Sequence, residues 1–313
     1  MSVAPLAGTA ATIALAFAAV TLLSRGARGS SRWSGVLGNG PARWGMTFIL
    51  AVALLAVLAP LVAPYPPERQ LDIVALQNRP PSLSHPLGTD LYSRDVWSRL
   101  LHGGRLSLAI GGLGVLIAIV IGTTVGTVAG YWRLTVGTIL MRLTDVGLAI
   151  PRIFILLALV AAFDRVSVPA LILVIGLTSW FGTSRLVRAE VISVGQRPFV
   201  AAAQALGLRP TTLLFRHVLP NASAPIIISA VLGAGGVMLL EAGLSFLGFG
   251  VPAPMASWGS MIADGRNHLR VAPWAVLAPG LAIALVVMAC SAIGESVRDT
   301  MAPTVGRGDP ATH

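Results

Sequence analysis

Few side chains in this sequence could perform chemistry, and their spacing does not form a catalytic set. His85, Asp90 and Asp95 are residue types that bind metals, but they lie on a predicted turn and an Arg-rich helix, which argues against a metal site. The remaining histidines are scattered, and no nucleophile and base occur at helical spacing. We therefore expect no enzyme activity and no metal or cofactor bound by this chain.

Three charged residues, Asp145, Arg152 and Glu241, instead interrupt long apolar stretches. Charges inside a bilayer are costly unless they face protein or water, so these residues and Ser245 are candidates to line a pathway or a subunit interface. Glu241 could line the substrate path, pair with Arg152 or accept hydrogen bonds at a helix end, and we favour a structural role. Asp145 and Arg152 are seven residues apart, which predicts one helical face with a kink at Pro151 between them.

The elements that position these residues are predicted to be membrane-spanning helices. Of the 313 residues, 55% are hydrophobic and 11% are charged, and the mean hydropathy is +0.81. The net charge of +10 comes from Arg alone and does not indicate a nucleic-acid partner. The single cysteine, Cys290, can form neither an internal disulfide nor a metal framework.

A helix of about 20 apolar residues crosses a bilayer, and six stretches of suitable length predict an all-α protein with six core spans. These stretches are 46–63, 106–129, 146–163, 166–184, 225–248 and 271–294. The uncharged segment 2–24 could be a seventh span, an interfacial segment or a dispensable extension. Along the second span, Gly122, Gly126 and Gly130 form a strip that predicts close helix packing, and Gly112 is placed with them.

The distribution of Arg predicts the orientation, because short cytoplasmic loops accumulate positive charge. One arrangement places 13 Arg inside and eight outside, where acidic residues nearly balance them. It makes the C-terminus cytoplasmic in the plasma (inner) membrane. The predicted division is an N-terminal extension (1–45), a first span with an external segment (46–105), a core of five helices (106–300) and a tail (301–313).

The external segment 64–105 leaves the membrane through a Pro-rich stretch and then forms a turn at Pro86 and Gly88. Thr89 or Asp90 is predicted to cap an amphipathic interfacial helix that leads into the second span. Trp97 is predicted to lie at the level of the lipid headgroups.

A second connection, 191–221, is predicted to be cytoplasmic and to dock against another protein. Pro198 can begin a short helix that Gly207 ends, and a second short helix is predicted from Pro210 to Arg216. The run of alanines that includes Ala201, Ala202 and Ala203 would let a partner approach the backbone closely. Phe199, Val200 and Leu206 are the predicted apolar anchors.

This connection resembles the conserved cytoplasmic loop of ABC importer permeases: Glu-Ala-Ala, three residues, Gly, nine residues, Ile, one residue, Leu-Pro. The matching positions are Ala202, Ala203, Gly207, Leu219 and Pro220. Ala201 stands where the motif has Glu, and His217 where it has Ile. The absent Glu removes one polar contact that the resemblance implies.

Further motifs are similar to the C-type permease subunit of dipeptide, oligopeptide and nickel importers. The segment 85–108 contains that family's His-Pro-Leu-Gly-Thr-Asp and Arg-Asp-Val elements, with His85, Gly88, Asp90, Arg94 and Asp95 in place. Ser93 replaces the Gly that usually precedes Arg-Asp. The resemblance covers residues 46–303.

The resemblance implies the six-helix type I permease fold and a subunit that forms half of a translocation pathway. The implied partners are a second, homologous (B-type) permease, two ABC ATPase subunits, an extracytoplasmic solute-binding protein and the lipid bilayer. ATP and Mg²⁺ would be used by the ATPase subunits, because this sequence has no Gly-rich phosphate-binding loop. Peptides are the expected substrate. The alternative substrates are nickel or haem-like ligands. The alternative class of protein is a secondary transporter.

Overall fold

The computed structural model describes residues 35–36, 38–132, 134–162 and 167–301. The segment 2–24 and the predicted tail from residue 302 lie outside the described residues. The described chain is helical, and its only β pairing is an isolated bridge between Thr89 and Asp95.

The helices begin and end at residues that the local sequence explains. They are α1 (Gly40–Val57), α2 (Ala59–Val62), α3 (Val96–Tyr131), α4 (Thr135–Ala149), α5 (Arg152–Ala161), α6 (Val168–Gly195), α7 (Pro198–Ala205), α8 (Pro210–Thr212), α9 (Leu219–Asn221), α10 (Ser223–Phe246), α11 (Trp258–Gly265) and α12 (Trp274–Met301). A π-helical turn, Leu213–Val218, joins α8 to α9. Asp95, Ser167 and Ser257 cap α3, α6 and α11 by accepting hydrogen bonds from backbone N–H groups.

Within the described residues, five helices are long and apolar enough to cross a membrane: α1, α3, α6, α10 and α12. The pair α4 and α5 supplies a sixth crossing if it is counted as one broken span. This arrangement agrees with the six predicted core spans, although several helices extend beyond the predicted apolar stretches. α3 has 36 residues and is about 54 Å long at 1.5 Å per residue, which exceeds the thickness of the hydrocarbon core.

The predicted interfacial helix before the second span is the beginning of α3 itself. The predicted cap was also wrong: Asp95 caps α3, rather than Thr89 or Asp90. Asp90 is instead held in the preceding turn, where its carboxylate accepts hydrogen bonds from the backbone N–H groups of Tyr92 and Arg94. A capping residue cannot be chosen among neighbouring Thr and Asp residues until these competing bonds are known.

The helices α3 and α6 form the most extensive contact of the bundle. A Cβ atom added to Gly126 would lie 2.5 Å from the Ser184 carbonyl oxygen, and Cβ atoms added to Gly122 and Gly130 would lie 2.7 and 2.8 Å from side chains of α6. The glycine strip therefore produces the close packing that its spacing predicted. Gly112 does not take part, because nothing lies within 4 Å of its added Cβ.

The third crossing is broken rather than kinked. The axes of α4 and α5 meet at 87°. α4 ends before Ile150, because Pro151 disfavours helical backbone in the residue that precedes it. Asp145 and Arg152 consequently lie on different helices, so the prediction of one shared helical face was wrong.

Two ends of the bundle carry the connections that matter for function. The long-loop end consists of residues 63–95 and 247–273, and α11 lies there. Trp258 joins α11 to α3, since its backbone N–H donates to Ser107 Oγ and its indole N–H donates to the Leu100 carbonyl. The short-helix end consists of residues 196–222.

Candidate functional site

At the short-helix end, one side of the connection is packed against the rest of the chain. Val200 and Ala203 of α7 and the π-turn residues Leu213 and Val218 are buried. They form an apolar cluster with three valines near the end of α6: Val187, Val191 and Val194. The connection is thus anchored to a membrane-spanning helix and would transmit a force applied to it.

The other side of the connection is exposed and apolar. The exposed fractions of Phe199, Leu206 and Phe215 are 40%, 81% and 65%. Ala201, Ala202, Arg216 and Pro220 are also exposed, while His217 and Leu219 are half-buried. This surface, which we call the docking face, lets a partner reach the α7 backbone with little steric hindrance.

The structure changes the list of docking residues in two ways. Val200 and Ala203 are buried within this chain, so they are not anchors for a partner. Phe215 is an exposed apolar residue of the docking face that the sequence interpretation did not include. It lies within the second predicted short helix, where consecutive side chains point about 100° apart, so that Leu214 is buried while Phe215 is exposed.

Gly207 ends α7 as its position predicted. Its φ is +75°, a left-handed conformation that strongly favours glycine. The N–H groups of Gly207 and Leu208 donate to the carbonyls of Gln204 and Ala203, which closes the helix. The turn directs the chain from α7 towards Pro210 and the π turn.

At the long-loop end, the predicted external motif forms a network of charged side chains. Asp90 Oδ2 accepts hydrogen bonds from Arg94 Nε and from Arg99 Nη1, both at 2.7 Å. Asp264 of α11 accepts from the same two arginines at 2.8 and 3.1 Å. Two arginines and two carboxylates therefore connect the 64–95 loop, α3 and α11.

His85 and Asp95 belong to the same end but act as a pair. His85 Nδ1 lies 2.9 Å from Asp95 Oδ1, while Asp95 Oδ2 accepts from the backbone N–H and hydroxyl of Ser98. The His85 ring also stacks on Tyr65. His85 thus holds the cap of α3, and no group of three or more metal-binding side chains is found in the described part of the chain.

Two turn positions of this motif have left-handed backbone. Gly88 has a φ of +71°, and a Cβ there would meet the Arg79 carbonyl and the Trp274 ring. Ser93 has a φ of +58°, is fully buried, and its hydroxyl has no hydrogen-bond partner. The Gly that the resemblance implies at position 93 is therefore the residue that this conformation favours.

Glu241 is buried between α10 and α11. Its Oε1 accepts hydrogen bonds from Ser245 and from Ser257, each at 2.7 Å, and Ser257 is the cap of α11. It makes no ion pair with Arg152, so that alternative was wrong. The contacts fit a structural role in which Glu241 and Ser245 fix α11 to α10.

Asp145 and Arg152 each contact α6, on opposite sides of the break between α4 and α5. Asp145 Oδ1 lies 2.8 Å from Arg185 Nη2, and Arg152 donates to Ser179 Oγ. These contacts join α4 and α5 to α6 on the two sides of the break. They do not place Asp145 and Arg152 together in one site.

Comparisons with known proteins identify the family of this chain. Residues 122–307, which include the broken span, the docking face and α12, match the family model of the binding-protein-dependent transport system inner membrane component. The chain belongs to this permease family. Residues 33–81 of the permease also match the N-terminal transmembrane domain of oligopeptide transport permease C.

Curated relatives cover most of the permease. It is 40% identical to a dipeptide transport system permease protein of Alkalihalophilus pseudofirmus over 83% of this chain and 84% of that protein. It is 38% identical to a di/tripeptide transport system permease protein of Pseudomonas aeruginosa, over 87% of this chain and 90% of that protein. A glutathione transport system permease protein of Pectobacterium atrosepticum is 36% identical over 82% of this chain and 84% of that protein.

A solved structure shares the fold of the permease. An inward-facing structure of the MetNI methionine ABC transporter contains a chain that superposes with a TM-score of 0.52 at 16% identity. The match covers 64% of this chain and 96% of that one. The predicted all-helical type I ABC importer permease fold is confirmed, as is the resemblance to peptide-type permeases.

Proposed function

We propose that this permease forms half of the membrane pathway of an ATP-driven importer of short peptides. Its partners are a second, homologous permease, two ABC ATPase subunits and an extracytoplasmic solute-binding protein. The substrate class is supported by its curated relatives, which are named for dipeptides, di- and tripeptides and glutathione.

The observation that carries this proposal is that the short-helix end has one side buried against the bundle and one side exposed. Val200 and Leu213 bury one side against α6, while Phe199, Leu206 and Phe215 expose the other. In the proposed mechanism, two ATPase subunits close on ATP and Mg²⁺ and push on the docking faces. The spans then rock between outward-open and inward-open states.

This mechanism requires the short-helix end and the C-terminus to be cytoplasmic. The Arg-rich segment 185–216 supports that orientation, because Arg accumulates in cytoplasmic loops. The long-loop end then faces the solute-binding protein. The coupling segment is proposed to comprise residues 191–221.

Transport by the reconstituted complex tests the proposal. A tagged form of the chain is purified from native membranes with its bound subunits, placed in proteoliposomes with the binding protein, and assayed for uptake of a radiolabelled dipeptide. We expect uptake that requires hydrolysable ATP. Uptake by this chain alone without ATP would instead identify a secondary transporter, and ATP-driven uptake of nickel or haem without peptide would change the substrate class.

A pair of substitutions tests the docking face in the same assay. Phe215→Ser removes an exposed apolar side chain that we place against the ATPase, so peptide-stimulated ATP hydrolysis should fall at least about tenfold, as for an interface anchor. Leu281→Ser is the matched control, because Leu281 is similarly exposed on α12, away from the short-helix end. Full coupling in Phe215→Ser would contradict docking at this face.

A further inference from the structure

A cavity between α4 and α6 has no assigned role. It measures about 310 Å³, near the lower limit of roughly 300–1,000 Å³ that is usual for ligand pockets. Its lining residues are Met141, Asp145, Arg185, Arg188, Ala189 and Ile192. It is the place where charged side chains of two spans face open space.

The charges of this cavity are unequal. Arg185 and Arg188 supply two guanidinium groups against the single carboxylate of Asp145, so the lining carries a net charge of about +1. The ion pair uses Asp145 Oδ1 and one Nη of Arg185. Arg188 is half-buried, and its Nε is buried without a hydrogen-bond partner in the described structure. N–H groups of the two guanidinium groups therefore remain to donate hydrogen bonds to an anionic ligand.

Helix geometry places the two arginines together. They are three residues apart on α6, which makes them neighbours on one face with a rise of about 4.5 Å between them. A planar guanidinium binds a carboxylate with two parallel hydrogen bonds. Side by side, the two groups can hold one carboxylate while Asp145 accepts from an ammonium group.

The exposure of Arg185 and Asp145 indicates that the cavity faces water. Arg185 is 58% exposed and Asp145 is 41% exposed, although both lie in helices of the spanning bundle. Arg185 follows the predicted span 166–184, near the end of α6 that leads into the short-helix end, so the cavity opens to water on the side that we place in the cytoplasm. In the proposed importer, it lies at the cytoplasmic exit of the pathway between the two permeases.

The geometry points to a binding site for the zwitterionic backbone of a short peptide, with Arg188 and Arg185 on the terminal carboxylate and Asp145 on the terminal ammonium. This inference rests on the proposed function and adds the residues that recognise the substrate during passage. A free carboxylate and a free ammonium are then both required for tight binding.

Protection of an introduced cysteine tests the site in the reconstituted complex. Ala189→Cys puts a thiol on the cavity wall, and the native Cys290 is buried. Dialanine should slow the reaction of this thiol with a maleimide, and N-acetyl-dialanine amide should not. Leu186→Cys is the control, because Leu186 is 41% exposed on the same helix and does not line the cavity.

Adding Arg188→Gln to Ala189→Cys should raise the half-protecting concentration of dialanine about tenfold, which corresponds to about 1.4 kcal/mol. Arg188→Lys should raise it less, because it keeps the charge and loses the planar fork. Both variants must retain assembly with the partner subunits on size-exclusion chromatography. If Arg188→Gln does not assemble, the Arg188→Lys shift decides the question.

Three results would overturn the site: equal protection by the blocked compound, equal slowing of Leu186→Cys, or no shift in either Arg188 variant. ATP-driven dialanine uptake by the same complex separates this inference from the proposed function. Uptake without protection removes the site and leaves the function. Protection without uptake removes the function and leaves the site.

Discussion

At the scale of single residues, the clearest departure from a favourable conformation is Ser93. It adopts a left-handed φ of +58° in a fully buried turn, where only glycine avoids the steric cost. Its backbone carbonyl and N–H are both bonded, so the turn is held by its surroundings. The steric cost therefore comes from the side chain of Ser93 and not from missing backbone hydrogen bonds.

Ser93→Gly should therefore stabilise the permease. Relief of the left-handed strain and loss of a buried, unpartnered hydroxyl should together raise the free energy of unfolding by about 1 kcal/mol. The measurement is thermal unfolding in detergent, where a rise of a few degrees is expected. Ser84→Gly is the control: Ser84 is exposed with a negative φ, so it should gain nothing.

Asp90→Asn should have the opposite effect. Asp90 binds two arginines, and Arg99 is almost fully buried, so loss of the carboxylate leaves a buried cation with only Asp264. We expect a loss of about 3 kcal/mol in the same thermal assay. Asp72→Asn, at an exposed carboxylate, should change stability by less than about 1 kcal/mol. Equal losses in the two variants would show that the network does not stabilise the loop.

Residue types were easier to predict than residue partners. The external motif, Glu241 and the glycine at position 207 were identified from the sequence, because their chemistry is unusual at those positions. Their contacts were not, since Asp264 lies 165 positions from Arg99 and no local pattern joins them. The burial of Val200 similarly depends on α6, which a local helix pattern does not include.

At the scale of elements, the bundle depends on how closely α3 approaches α6. The glycine strip sets that distance, and the valines of α6 pack into it. The six crossings could be predicted from apolar runs because bilayer thickness fixes their length. The 87° break could not, because Pro151 explains where a helix stops and not the direction in which the next one starts.

Gly126→Ala should force α3 and α6 apart. The new methyl would lie 2.5 Å from the Ser184 carbonyl oxygen and near the Arg188 N–H, and a backbone neighbour cannot rotate away. Overpacking of this kind costs about 1–3 kcal/mol, measured as a lower unfolding temperature in detergent. Gly112→Ala on the same helix meets nothing within 4 Å and should be neutral or slightly stabilising. A neutral Gly126→Ala would mean that the helices can separate without cost.

At the scale of the whole molecule, the permease is one part of a proposed complex, in which we place different partners at its two ends. The docking face is exposed, while the side chains beneath it belong to the core of the chain. A sequence motif could place this face, since loop position and small residues are local properties. It could not separate Ala203 from Ala202, because only packing distinguishes the buried alanine from the exposed one.

Ala201→Glu should strengthen binding of the ATPase pair to the permease in nanodiscs. Ala201 is exposed on α7, so a longer side chain fits there, and a carboxylate would restore the polar contact that the family motif implies. An exposed charged contact contributes up to about 1 kcal/mol, so the dissociation constant should fall about threefold. Ala201→Gln matches the size without the charge. An equal effect of Glu and Gln would show that the contact is not electrostatic.

The length and continuity of α3 have a mechanical consequence. One rigid rod carries the cap and the arginine network at its first turns, and it ends beside the π turn at Tyr131 and Trp132. A rod of about 54 Å that pivots by about 5° around its centre moves each tip by about 2 Å in opposite directions, similar to the helix shifts that accompany switching. In the proposed mechanism, α3 would act as a lever with arms of similar length, so that a push on its end at one membrane face would move its other end in the opposite direction. Spin labels placed near its two tips should report these opposed displacements in the same nucleotide step.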